Sequence, residues 1–239
     1  MGHLKPSSSS SLTSSLISLP SIQIPLSSSI WSLVEMLYRL PSPPPPRTRT
    51  QKKMQVLCVG LPRSGTESLQ QALLHLGYDH TYHGWDIVYD SECHSPRWVS
   101  LARKRFYRGE TITTDEFDAL LGHCEAVTDA AASVFAADLI AAYPDAKVVL
   151  NVRGEVEAWE KSLRSTLVRA NESWAWWVAS WMDRECFWAW HVYERFLWPL
   201  LFRAPDGNMK RAVERNARWV QKGELGLSSQ FCLFAPPRA

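Results

Sequence analysis

Paired cysteines, a large net charge and a long apolar run are all missing from this chain of 239 residues. The five cysteines are scattered without a single C-x-x-C spacing. That excludes a disulfide framework and a zinc ribbon, and it fits a reducing, cytoplasmic setting. Lys and Arg number 26 against 24 Asp and Glu, for a net charge of +2, which excludes a dedicated nucleic-acid binder. No uninterrupted apolar stretch approaches the ~18 residues a transmembrane helix needs. The dinucleotide fingerprint G-x-G-x-x-G is absent. No metal site is expected, because the nearest approach to one, His80-x-x-His83 with Asp86, falls in a loop. What is abundant is apolar and aromatic material, 46% and 11% of residues, with 12 Trp. So much of it excludes a wholly disordered chain.

The chain divides into two populations. Residues 1–53 are rich in Ser and Pro, and carry six basic residues against one acid, Glu35. The remaining 20 basic and 23 acidic residues leave the rest slightly acidic. The preferred reading of residues 1–53 is a disordered extension with a short amphipathic piece at Ile30–Leu40. An organellar leader, a secretory signal, and a natural start at Met54 are the alternatives.

From Met54 the pattern becomes α/β. Val56–Val59 and Lys147–Val152 read as buried strands, and Glu125–Thr128 as a short one. Leu69, Ala72, Leu73 and Leu76 form one helical stripe that Gly77 ends. Helices are expected over Pro96–Tyr107, from an N-cap at Thr114, from Ser133 to Tyr143, and over Glu155–Val168. Strands alternating with helices imply a mainly parallel sheet in a three-layer α/β fold.

The sharpest signal is VLCVGLPRSGTESL, residues 56–69. A glycine-bearing turn between a buried strand and a helix N-terminus gathers backbone N–H groups and the positive helix end on one point, which is an anion site. Gly65 permits close approach of the backbone, Arg63 offers a planar fork for oxyanions, and Thr66 and Ser68 add hydroxyls. Gly60 and Gly65 have Walker spacing, but Thr66 and Glu67 stand where Lys and Ser/Thr would be. Ordinary nucleoside-triphosphate hydrolysis is therefore not expected.

These residues resemble the signature of sulfotransferases that use 3′-phosphoadenosine 5′-phosphosulfate (PAPS). Pro62–Thr66 (PRSGT) resembles their 5′-phosphosulfate loop. Their second motif is a strand followed by Arg and then Ser, which hold the 3′-phosphate. Here Arg153 follows Val148–Val152, and Ser162 lies nine residues on, one further than the usual spacing. The longer pattern, G-x-PR[ST]GT-x-SL, then LG, Y-H and AYPDAKV with R and W after it, resembles a sulfotransferase-like family common in fungi, over residues 54–222. The resemblance implies a P-loop NTPase-like fold. It also implies a PAPS site formed by Pro62, Arg63, Ser64, Gly65, Thr66, Glu67, Ser68, Arg153 and Ser162, and transfer of a sulfuryl group to a hydroxyl or amine of a small-molecule acceptor. A metal is not required for such a transfer.

The acceptor needs a base. His83 is the first candidate, since imidazole titrates near neutral pH and Y-H follows the first helix in the resembling family. Asp129 is second, at the end of a parallel strand where such sheets present ligands. Glu67 is third. Arg63 would stabilise the charge on the transferred group.

Seven of the 12 Trp lie between Trp174 and Trp198. They read as two amphipathic helical pieces ending near Pro199, forming a cap on the sheet. An aromatic acceptor pocket and a homodimer or membrane-surface contact are the other uses open to them. A basic helix is expected over Gly207–Val220. Residues 223–239 depart from the resemblance, which keeps open a truncated, non-catalytic P-loop protein or a nucleotide-dependent phosphotransferase.

Overall fold

The computed structural model describes residues 28–49, 52–89, 92–171, 173–201 and the strand 231–234. The expected helix over 207–220, most of the tail after 223, and residues 1–27 lie outside the described residues.

The described residues build five strands, all paired in parallel: β1 (Val56–Cys58), β2 (Thr81–Tyr82), β3 (Ala126–Val127), β4 (Lys147–Asn151) and β5 (Phe231–Phe234). Their order across the sheet is β2-β3-β1-β4-β5. The sheet grows to one side through β3 and to the other through β4, so β1 sits at the point where the order reverses. In open parallel sheets the crevice outside the carboxyl ends of the strands at that point is where ligands bind. Leu57 pairs with both Val127 and Val148, which sets the loops after β1, β3 and β4 side by side.

Alternation along β1 explains the helices on both faces. Val56 and Cys58 meet Leu69 and Leu73 of α2 (Thr66–His75). Leu57 and Val59 face the main core with Tyr82, Trp98, Phe117 and Phe135. A strand buried on both faces reads as a continuous apolar run. Only half of the expected α2 stripe is buried: Leu69 and Leu73 are covered while Leu76 is 75% exposed.

The remaining helices are α3 (Asp86–Tyr89), α4 (Ser95–Ala102), α5 (Thr114–Leu121), α6 (Asp129–Val134), α7 (Ala136–Ala142), α8 (Val156–Leu163), α9 (Arg169–Asn171), α10 (Trp174–Ser180), α11 (Arg184–His191) and α12 (Trp198–Leu201). Wider π-helical turns follow α4, α8 and α11. The cap of α5 is Thr113, one residue before the expected Thr114, because Thr113 and Glu116 form a reciprocal capping box. The helix expected from Ser133 starts earlier, at Asp129, and is interrupted at Phe135. Pro199 does not end the Trp-rich helices. It is the second residue of α12, which continues the helical run of α11 and the π-helical turn without a break. No described helix is long and apolar enough to cross a membrane.

Two expectations need correction. The extension expected over residues 1–53 is in part a packed strap. α1 (Ser28–Leu37) and the chain after it place Trp31, Val34, Tyr38 and Leu40 against the main core. Glu35 binds Arg103 and Arg195, each at 2.7 Å, and Tyr38 stacks on Phe187 at 4.5 Å between ring centres. Arg49 donates to Asp118, Leu121 O and Cys124 O. Beyond the amphipathic piece at Ile30–Leu40, seen as α1, the strap has no periodic pattern of its own. Its partners are distant in sequence, so a local reading misses it. The second correction concerns the tail: Phe231–Phe234 is not outside the sheet but extends it, in register with Val148–Asn151.

Candidate active site

The loop from Gly60 to Gly65 crosses the carboxyl end of β1. Gly60 is required there, since an added Cβ would lie 2.1 Å from Asn151 O. Asn151, the last residue of β4, accepts from Gly60 N at 3.1 Å and donates to Ser64 Oγ at 2.6 Å. Ser64 Oγ in turn donates to Leu61 O at 2.6 Å. Trp159 of α8 donates to Pro62 O at 2.9 Å. The loop is thus held from β4 and α8 before any ligand arrives. Arg63 and Gly65 both have positive φ, 67° and 89°. For arginine that conformation is uncommon, and such strain concentrates at functional sites.

The second motif meets the first. Arg63 Nε donates to Ser162 Oγ at 3.2 Å, and Arg153 Nη1 lies 3.5 Å from Arg63 O. Among the described residues neither Arg63 nor Arg153 has a carboxylate partner. Two unpaired guanidinium groups beside a loop at a helix N-terminus are a donor set suited to a dianionic ligand. An added Cβ at Gly65 would meet nothing within 4 Å, so the space over the loop is open. These residues fit the phosphate or sulfate end of an anionic ligand.

Asp129 begins α6 just after β3, again with positive φ, 71°. Its Oδ1 accepts from Thr66 Oγ1 at 3.0 Å. Thr66 Oγ1 is 3.3 Å from His83 Nε2, and His83 Nδ1 accepts from Trp85 N at 3.2 Å. A donor at Nδ1 assigns the ring proton to Nε2. The chain therefore runs from His83 Nε2–H to Thr66 Oγ1, and from the Thr66 hydroxyl to Asp129. Gly84 makes room for the carboxylate, because a Cβ there would lie 2.1 Å from Asp129 Oδ2. Tyr193, whose phenol burial pushes well above its usual range, donates to Gly84 O.

Asp129 also lines a cavity of about 310 Å³ between α3, α10, α11 and α12. Trp85, Trp176, Trp190, Tyr193 and Trp198 supply most of its aromatic wall. His83 is buried, 3% exposed, and does not line it.

Several sequence-read residues are placed differently from expectation. The Thr66 hydroxyl is turned to Asp129 rather than to the loop mouth, and the Ser64 hydroxyl is spent inside the loop. Glu67 and Ser68 are exposed on the first turn of α2, away from the Asp129 network. His80 is exposed beside Asp79 while His83 is buried. Among the described residues no three His, Cys, Asp or Glu side chains gather as metal ligands. Asn151, Gly84 and Tyr193 were missed. A polar residue ending an apolar strand was the signal for Asn151; nothing local marked the other two.

Comparison with known proteins matches residues 55–223 to the family profile described as Sulfotransferase domain. The chain is 37% identical over 151 residues to Ava biosynthesis cluster protein M of Aspergillus versicolor, covering 63% of this chain and 54% of that protein. It spans about half the length of that relative.

Proposed function

The chain belongs to the sulfotransferase domain family, and from that premise we propose that it transfers a sulfuryl group from PAPS to a hydroxyl of a small molecule. The observation that carries this reading is the meeting of Arg63, Ser162 and Arg153 beside an open, strained loop at the switch point of the sheet. When bound, PAPS supplies an activated sulfuryl group. Arg63 and the loop N–H groups would hold the phosphosulfate end, and Arg153 with Ser162 would hold the 3′-phosphate, which would separate PAPS from ATP-like nucleotides. Charge that spreads over the peripheral oxygens during transfer is stabilised by the same fixed cations, as in phosphoryl transfer.

Asp129, rather than His83, is the base in this reading. It touches both the apolar cavity and the loop helix, whereas both His83 ring nitrogens are occupied by Trp85 N and Thr66 Oγ1. His83 and Thr66 are positioning residues that hold the carboxylate. The Asp129 carboxylate takes the acceptor hydroxyl proton as the oxygen attacks.

Thermal shift of the full chain with PAPS, adenosine 3′,5′-bisphosphate and ATP tests the donor assignment. PAPS and the bisphosphate should stabilise the protein, and Arg63→Ala should abolish that shift. Asp129→Asn should leave the shift and remove transfer. Stabilisation by ATP alone overturns the reading.

A further inference from the structure

The cavity beside Asp129 carries its own chemistry. We infer that it selects a neutral, flat, mainly hydrocarbon hydroxy compound of two to three fused rings, such as a polycyclic phenol; this rests on the sulfuryl-transfer reading for its role as acceptor. Among the described residues no Lys, Arg or His lines the cavity, and Asp129 is the one charged side chain that does. An anionic acceptor would meet that carboxylate without a compensating cation. A sugar would leave most of its hydroxyls against Trp, Val, Leu and Ala side chains, and each unpaired polar group there is costly. An amine would be held as ammonium by Asp129 and the aromatic walls, and an ammonium has no lone pair with which to attack. A single hydroxyl on an apolar body satisfies every wall: its proton faces Asp129 and its carbon frame meets the rings.

Size and mouth agree. The volume is about 310 Å³, and a cavity of roughly 150 Å³ takes one benzene, so two to three rings fill this one. Trp85, Tyr89 and Trp176 line the cavity while remaining 45%, 69% and 57% exposed. Aromatic groups left in water at the rim are the surface that an apolar ligand would cover. The arrangement also excludes water from around Asp129 once filled. The bonds made and broken are those of the proposed transfer: the acceptor O–H proton passes to Asp129, a new O–S bond forms, and the S–O bond to the nucleotide breaks with its electron pair.

Calorimetric titration of the full chain with phenol, 2-naphthol and glucose tests the inference without turnover. Naphthol should bind about tenfold or more tightly than phenol, from the extra apolar area buried, and glucose should give no binding. Ala189→Phe fills the cavity from α11 and should weaken naphthol about tenfold or more, with adenosine 3′,5′-bisphosphate affinity unchanged. Ala179→Phe fills it from α10 and makes the same test independently of α11 packing. Absence of naphthol binding, equal affinity for phenol and naphthol, binding of glucose as tight as naphthol, or indifference to both fillings each overturn the inference. Naphthol bound at this cavity with no bisphosphate binding supports the cavity assignment and sinks the sulfuryl-transfer reading instead.

Discussion

Replacing Arg49 with Ala should destabilise the protein by about 3–4 kcal/mol, although the residue lies in a segment with no secondary structure of its own. Its side chain is 14% exposed and its partner Asp118 is 16% exposed. The guanidinium donates to Asp118 Oδ1 at 2.7 Å, to Leu121 O and Cys124 O at 2.8 Å, and to Lys52 O at 3.0 Å. It also lies 5.3 Å from the Tyr143 ring centre. Truncation leaves two sheltered carbonyls and a largely buried carboxylate without this cation. Removing one partner of such a pair costs about 3–5 kcal/mol. Asp118 keeps one donor, Tyr143 Oη at 2.8 Å, whose proton is secured because burial and the adjacent carboxylate push its titration far up. That retained bond places the cost toward the lower end. At roughly 2–4 °C per kcal/mol for a domain of this size, the melting temperature should fall by about 10 °C. Arg49→Lys keeps the charge but loses the fork, so its cost should be intermediate. Urea titration and calorimetry of the full chain measure both. A loss below about 1 kcal/mol for Arg49→Ala would mean that the strap is not part of the folded unit and that the argument from its four bonds is wrong.

Three further outcomes are expected. Gly84→Ala pushes a methyl group to within 2.1 Å of Asp129 Oδ2. The carboxylate should shift by roughly 1 Å, and transfer to a saturating phenolic acceptor should drop about 100-fold with nucleotide binding intact; unchanged turnover would remove Asp129 from the chemistry. Gly60→Ala collides with backbone at Asn151 O, so it should cost about 2 kcal/mol or more and also weaken the bisphosphate thermal shift; a neutral result would contradict the close approach of loop and strand. His191 is pulled down to about 3, first by burial and then by the Arg195 charge. Its folded value lies below the unfolded one, so the unfolded chain binds the proton more readily; this stability is present above about pH 6.5 and is lost as pH falls toward 3. Burial raises Glu194, which works the opposite way in acid. The comparison is therefore with His191→Phe, whose stability should fall less steeply between pH 6.5 and pH 4 in urea titrations. Equal slopes would show that the ring is hydrated.

The parallel sheet and the glycine-bearing loop were legible because both are local patterns. Val56–Cys58 and Lys147–Asn151 are apolar, β-branched runs bounded by turns, and a strand buried on both faces has no other reading once helices flank it. The loop was legible from Gly60, Arg63 and Gly65, whose side chains, or lack of them, are chemically unusual in a turn. The two-residue strand Thr81–Tyr82 was too short to carry a period of its own. It is a strand only because Tyr82 pairs with Val127 across the sheet.

The rank of the candidate bases was not legible. His83 and Asp129 are 46 positions apart in sequence, and nothing local shows that Thr66 stands between them. Which of them reaches the cavity is decided by α12 and the π-helical turn after α11 packing on α6. The Trp-rich stretch was likewise ambiguous, because its hydrophobicity demands burial without saying where. Tertiary packing sends Phe187 and Trp188 into the core and leaves Trp85, Trp176, Trp190 and Trp198 around an open cavity.

By itself, then, the sequence determined the α/β class, the glycine-bearing loop after the first strand and the later strand–Arg–Ser segment, since each is written in residues close together in the chain. Only the tertiary structure decided that residues 28–49 belong to the fold, that Asp129 rather than His83 faces the cavity, and that the aromatic excess encloses a space of one size and polarity. Those outcomes depend on contacts between residues far apart in sequence, such as Arg49 with Asp118 and Tyr193 with Gly84. Neither partner in such a contact carries a local mark of the other.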